Sequence, residues 1–267
     1  MLKMRMLNIK QRTSLTCVLA LGLLLSACVS ETTGGFDRAP PQETLQNYLL
    51  LAQGYLEQGD LATARRQLAN AAEIDRNNSD IYGIWGLIYT LEGDLDLADE
   101  SFRRAIRLNG SNSQVRNNYA AFLFSNGRYA EAYEQLELVV RDTAYPNRPA
   151  AFENMGLAAL QLNRLDDADV AFNRALQLNG NRVRSTLELV EINLKRGNVN
   201  QAAEFYQRFL TMQQFFNLQQ NARSLWIGIQ LEEARGGNAR MREYASLLTE
   251  RFPDSAEYAQ YRQLVDE

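Results

Sequence analysis

The sequence predicts an all-α chain, an α-solenoid of about six helix pairs closed by a C-terminal capping helix. Three observations predict it. A small, helix-breaking residue recurs at Gly59, Gly93, Gly127, Asn163 and Gly197, at intervals of 34, 34, 36 and 34 residues. Apolar residues with helical spacing stand before and after each breaker. Bulky and small apolar side chains alternate at matching places in successive units, as in Trp85, Gly86 and Tyr89 followed by Ala98, Phe102 and Ala105. A period of this length marks units that bury their apolar faces against their neighbours.

Taken in order, residues 1–27 read as an export signal. Lys3, Arg5, Lys10 and Arg12 precede an apolar stretch, Leu15 to Leu25, that falls short of the roughly 18 residues a spanning helix needs. Leu25-Ser26-Ala27-Cys28 follows and resembles the bacterial lipobox. That resemblance implies cleavage before Cys28 and acylation of it, so the expected modification is a covalent lipid on Cys28, with no other cofactor and no metal. Cleavage removes Cys17 as well, and the one remaining cysteine has no disulfide partner. Val29, and not Asp, follows Cys28, which by the same resemblance implies a lipid-anchored protein on the periplasmic face of the outer membrane. Residues 28–44, with Ser30, Thr32, Thr33, Gly34, Gly35, Pro40 and Pro41, read as a flexible tether.

The repeats follow at 45–78, 79–112, 113–148, 149–182 and 183–216. Their first helices offer packing residues such as Tyr48, Leu51, Ala52 and Tyr55, then Tyr82, Trp85, Gly86 and Tyr89, then Phe152, Met155, Gly156 and Ala159. Their second helices offer Ala64, Leu68 and Ala71; Ala98, Phe102 and Ala105; Ala132, Leu136 and Val139; Ala168, Phe172 and Ala175; Ala202, Tyr206 and Phe209. Closely crossing helices require a Gly or Ala on one to receive a bulky residue from the other. These residues resemble the W-x-x-L-G-x-x-Y and A-x-x-x-F motifs of the tetratricopeptide repeat (TPR) family, degenerately in repeats three and five. Asn77-Asn78, Asn109-Gly110 and Asn179-Gly180 sit past the second helices, where a left-handed cap is expected. Pro149 is placed to open a helix after a two-residue insertion. A sixth, irregular unit at 217–252 has a long first helix expected from Phe216 to Arg235, a break at Gly236-Gly237, and an apolar stripe of Met241, Tyr244, Ala245 and Leu248. Residues 253–267 supply the cap, with Ser255 placed to start it.

Composition narrows the function. The chain contains no histidine, the commonest general base and transition-metal ligand. The acidic clusters Asp94, Asp96, Asp99, Glu100 and Asp166, Asp167, Asp169 open second helices, where negative charge complements the helix dipole. No phosphate loop, nucleophile elbow or zinc spacing appears, so the expectation is a non-enzyme. The formal net charge of −4 becomes −8 once the four signal-peptide cations are gone, which argues against nucleic acid as a partner.

In TPR proteins the first helices line the concave face. The positions expected to meet a protein partner are Leu49, Gln53, Leu56, Ile84, Leu87, Leu91, Asn117, Asn118 and Phe124, an apolar groove with a few amides that suits an extended segment or a helix. Further along, Glu153, Asn154, Leu157, Leu160, Arg184, Glu188, Glu191 and Lys195 turn the groove from apolar to charged. Arg116 is the sole basic residue near the asparagines, a poor match to a clamp for a C-terminal carboxylate.

From the lipobox through Ala175-Leu176-Gln177-Leu178-Asn179 to Arg251-Phe252-Pro253-Asp254-Ser255, the chain resembles the type IV pilus biogenesis lipoproteins of the PilF/PilW family. The resemblance implies a pilotin, a monomeric scaffold that brings the pilus secretin to the outer membrane and favours its multimerisation, hence pilus biogenesis and twitching motility. Two other readings stay open from the residues: a TPR lipoprotein of cell-wall synthase activation or outer-membrane protein assembly, and a carboxylate-based hydrolase on a helical scaffold.

Overall fold

The computed structural model describes residues 40–237 and 239–266. The expected signal peptide, Cys28 and nearly all of the expected tether lie outside the described residues. The chain divides into two units, 1–44 and 45–267. Thirteen helices and no strands occur among the described residues: α1 Pro41–Glu57, α2 Leu61–Ile74, α3 Ser79–Glu92, α4 Leu95–Leu108, α5 Ser113–Ser125, α6 Tyr129–Arg141, α7 Arg148–Gln161, α8 Leu165–Leu178, α9 Val183–Lys195, α10 Val199–Phe215, α11 Ala222–Ala234, α12 Ala239–Arg251 and α13 Ala256–Asp266. Consecutive pairs from α3–α4 to α11–α12 pack against each other, and successive pairs pack on their neighbours. This is an all-α TPR solenoid.

The breakers act as their positions predict. Gly59, Gly93, Gly127 and Gly197 take φ between 72° and 82°, and Asn163 takes 57°. At each, the next residue's N–H reaches back to a carbonyl five residues earlier, as in Asp94 to Tyr89 (3.0 Å) and Arg164 to Ala159 (2.8 Å). This closure caps the helix with a left-handed residue and reverses the chain in three residues. Asn fills the role at 163 because its short polar side chain tolerates left-handed backbone better than most.

The close approaches of the small residues are equally direct. A Cβ on Gly86 would sit 2.8 Å from the Phe102 ring, and one on Gly156 2.7 Å from the Phe172 ring. Both phenylalanines are fully buried, so neither ring has room to yield. Gly228 in the sixth unit does the same for Tyr206, whose hydroxyl donates to the Ser224 carbonyl (3.0 Å).

Three expectations need correction. The turns after the second helices are not left-handed: Asn109 and Asn179 end their helices in extended backbone with φ near −143° and −144°. Their side chains close the turn instead, each accepting from the N–H two residues on (Ser111, 3.1 Å; Asn181, 3.0 Å). Asp75 and Asp142 do likewise for Asn77 and Ala144, an Asx turn that needs no positive φ. Second, no helix runs from Phe216 to Arg235. Helix α10 continues to Phe215, Asn217 turns the chain at φ 50°, and α11 starts only at Ala222 behind a reciprocal Asn221–Ser224 capping box. Third, helix α1 begins at Pro41, inside the expected tether, with proline at the first helical position, where its missing N–H costs nothing. Pro149 opens α7 and Ser255 accepts from Tyr258 N–H at the start of α13 (3.1 Å), as read from sequence.

Candidate protein-binding groove

The first helices of the pairs line two adjoining clefts of different chemistry. The N-terminal one, about 270 Å³, is formed by α1, α3 and α5. Five of the nine groove residues meet there: Leu49, Gln53, Ile84, Leu87 and Asn118. Leu49 and Ile84 are buried, Leu87 is half-buried, and Gln53 is exposed, so the floor is apolar and the rim carries amides. Asn118 Oδ1 accepts from Gln114 (2.9 Å), which leaves its NH2 as a donor.

The other four fall elsewhere. Leu56 belongs to the core of the first repeats, with Leu45, Leu68 and Ile88. The buried stripe of α1 is Leu45, Leu49, Ala52 and Leu56, while the expected packing residue Leu51 is exposed. Leu91 is exposed beyond the cleft. Asn117 lies outside the lining too, with a buried Oδ1 that has no hydrogen-bond partner among the described residues. Phe124 stands edge-on to Tyr129 and lines the second cleft.

That second cleft is larger, about 690 Å³, and runs over α5, α7, α9 and α11. Its floor is Phe124, Leu157 and Leu160, and its far wall is Arg184, Glu188, Glu191 and Lys195 of α9, with Arg223 of α11. Arg223 donates to Glu188 Oε1 (2.9 Å) and to Glu191 Oε1 (2.8 and 3.0 Å). Burial opposes its charge, but the bonds and fields of both carboxylates prevail and hold the guanidinium more firmly protonated than usual. Glu153, expected to face a ligand, is buried and accepts from Arg182, Ser185 N–H (3.1 Å) and Ser185 Oγ (2.7 Å). It therefore ties α7 to the start of α9. Arg116 is also occupied, donating to the Gly110 carbonyl (2.8 Å) and to Gln135.

The acidic clusters serve the stack. Asp99 accepts from Arg128 (2.6 Å), Arg103 (2.7 Å) and the Tyr119 hydroxyl (2.8 Å). Arg196 reaches Asp166 and Asp169, and Arg164 holds Asp167 (2.6 Å). Burial pushes the Asp99 carboxyl up, but the bonds from Arg128 and Tyr119 outweigh it and leave it below the usual range. Arg128 and Arg196 each come from the repeat after the one they bind. Sequence reasoning missed the contacts of Arg128 with Asp99, of Arg196 with Asp166 and Asp169, and of Arg223 with Glu188 and Glu191; no local signal marks them, because these partners lie 27 to 35 residues away.

Comparison with known proteins agrees with this architecture. A tetratricopeptide repeat model matches residues 85–149 and 153–215. Type IV pilus assembly protein PilF of Pseudomonas aeruginosa is 33% identical over 258 residues, 94% of this chain and 98% of PilF. A solved structure from work on the function of Pseudomonas aeruginosa PilF covers 84% of this chain and 98% of its own, with TM-score 0.76 and 33% identity. PilW, a widely conserved type IV pilus biogenesis factor, shares the fold at TM-score 0.68 and 23% identity, over 81% of this chain and 97% of its own. With that identity sustained along nearly the whole of both chains, this chain belongs to the PilF family of TPR-containing type IV pilus assembly proteins.

Proposed function

We propose that the chain is a lipid-anchored pilotin: acylated on Cys28, held at the periplasmic face of the outer membrane, and binding the type IV pilus secretin so that it localises and multimerises there. The observation that carries this is the extent of the likeness to PilF. At 94% of the chain it cannot stop at α1, because the residues before Pro40 make up more than that remainder; it reaches into the segment holding the signal and the lipobox. The work is physical and not chemical. Acyl chains supply membrane affinity, the apolar cleft over α1, α3 and α5 supplies partner affinity, and the joining segment makes the second encounter intramolecular.

Two variants test the two halves separately. Cys28→Ala should keep its partner in pull-downs yet leave the secretin unassembled or in the wrong membrane; normal pili and secretin multimers in that strain contradict the anchoring half. Leu87→Glu should abolish co-purification of the secretin while circular dichroism reports unchanged helix. Retained co-purification removes the groove from the reading.

A further inference from the structure

We infer that the cleft over α7, α9 and α11 is a second, separate docking site, and that it takes an extended protein segment in which apolar side chains alternate with carboxylates. The reasoning begins on α9. Arg184 with Glu188, and Glu191 with Lys195, are each four residues apart, the spacing at which a helix normally pairs opposite charges on its own surface. Neither pair forms. Arg223 takes both carboxylates from the neighbouring repeat, and Arg184 and Lys195 make no ion pair among the described residues. Glu257 of α13 borders the adjoining cleft with Lys195 and does not reach it either.

The cleft thus holds three cations against two carboxylates, in a chain of net charge −4, above a floor of Phe124, Leu157 and Leu160. Both unpaired cations are exposed and available to a ligand. Eleven residues of helix separate them, about 16 Å along the axis. An extended chain covers that distance in about five residues, so carboxylates about four or six residues apart, which share one face of the strand, come within reach of the long Arg184 and Lys195 side chains while the alternate apolar side chains face the other way and cover the floor. A basic or neutral segment gains nothing from the cations, and complementarity of this kind selects the partner and speeds its arrival. Neither the secretin nor the anchor is required for this site.

The test uses the full chain in detergent and a fluorescent peptide of alternating leucine and glutamate, beside the same peptide with glutamine at each glutamate. Fluorescence anisotropy should show the acidic peptide binding about tenfold more tightly than the neutral one at low salt, with the difference shrinking as salt rises. Arg184→Gln with Lys195→Gln should erase that difference. Arg184→Glu with Lys195→Glu should transfer the preference to a leucine–lysine peptide, and Leu87→Glu should leave it untouched. Equal binding of the acidic and neutral peptides, no binding of the acidic one, or a preference that survives neutralisation of both cations overturns the inference. Because Leu87→Glu addresses only the N-terminal cleft, secretin binding and peptide binding fail independently.

Discussion

Single residues in this solenoid are constrained mainly by what the next helix puts against them. Gly54 lies in the last turn of α1 and an added methyl there meets nothing within 4 Å, whereas at Gly86, inside α3, it meets three carbons of Phe102. Gly54→Ala should therefore stabilise by about 0.5–1 kcal/mol, the ordinary helix-propensity gain. Gly86→Ala and Gly156→Ala should destabilise by about 1–3 kcal/mol through overpacking. Urea unfolding followed by circular dichroism distinguishes the two; a stabilising Gly86→Ala would show that Phe102 can move. Asp99 is constrained by charge. Its carboxyl titrates below the usual range in the folded chain, so its contribution is present above the unfolded pKa, about 3.9, and is lost as pH falls through the lower folded value. Asp99→Asn should accordingly lose less stability than the wild type between about pH 5 and about pH 3, as read from thermal midpoints at each pH.

At the level of the element, each helix end is closed by a different device according to what lies beyond it. First helices end in a left-handed residue because the chain must return at once; the second helices α2, α4, α6 and α8 end in an Asx turn that lets it step to the next pair, whereas α10 is followed by left-handed Asn217. The start of α9 is held by Glu153 rather than by its own cap, since Arg182 at the cap position makes no side-chain cap bond. Glu153→Ala leaves Arg182 and the Ser185 N–H without their acceptor at a buried site. It should cost about 3 kcal/mol, and Glu153→Gln less, because one acceptor oxygen remains. Chemical denaturation of both variants checks the order.

Across the whole repeat unit, the buried residues form three clusters: one over α1–α3, one from α4 into α9, and one from α9 to the terminal helices. Leu87 packs on the first two and Phe205 on the last two. Stability in such a stack is close to a sum of local and nearest-neighbour contributions. Leu68→Ala, at a fully buried site in the first cluster, should cost about 2–5 kcal/mol there. Hydrogen exchange resolved by peptide should show faster exchange in α1–α3 and unchanged protection in α11 and α12. Uniform loss along the chain would mean that the three clusters unfold as one.

The repeat number, the breakers, the Gly–Phe contacts and the capping helix could be read in the sequence because each depends on spacing within one or two adjacent helices. The same local rules misjudged what depends on neighbours. They placed Leu56 in an open groove, although it packs in the core with Leu45, Leu68 and Ile88. They left Asn221 and Ser224 unnoticed as a start signal, and so ran α11 into the preceding turn. They could not foresee that Arg223 would divert Glu188 and Glu191 from their partners on α9. Periodicity along one chain fixes which faces are apolar, but which charges remain unpaired is decided only when the next repeat arrives, since an arginine some 30 residues away can outcompete one four residues away once packing holds it in place.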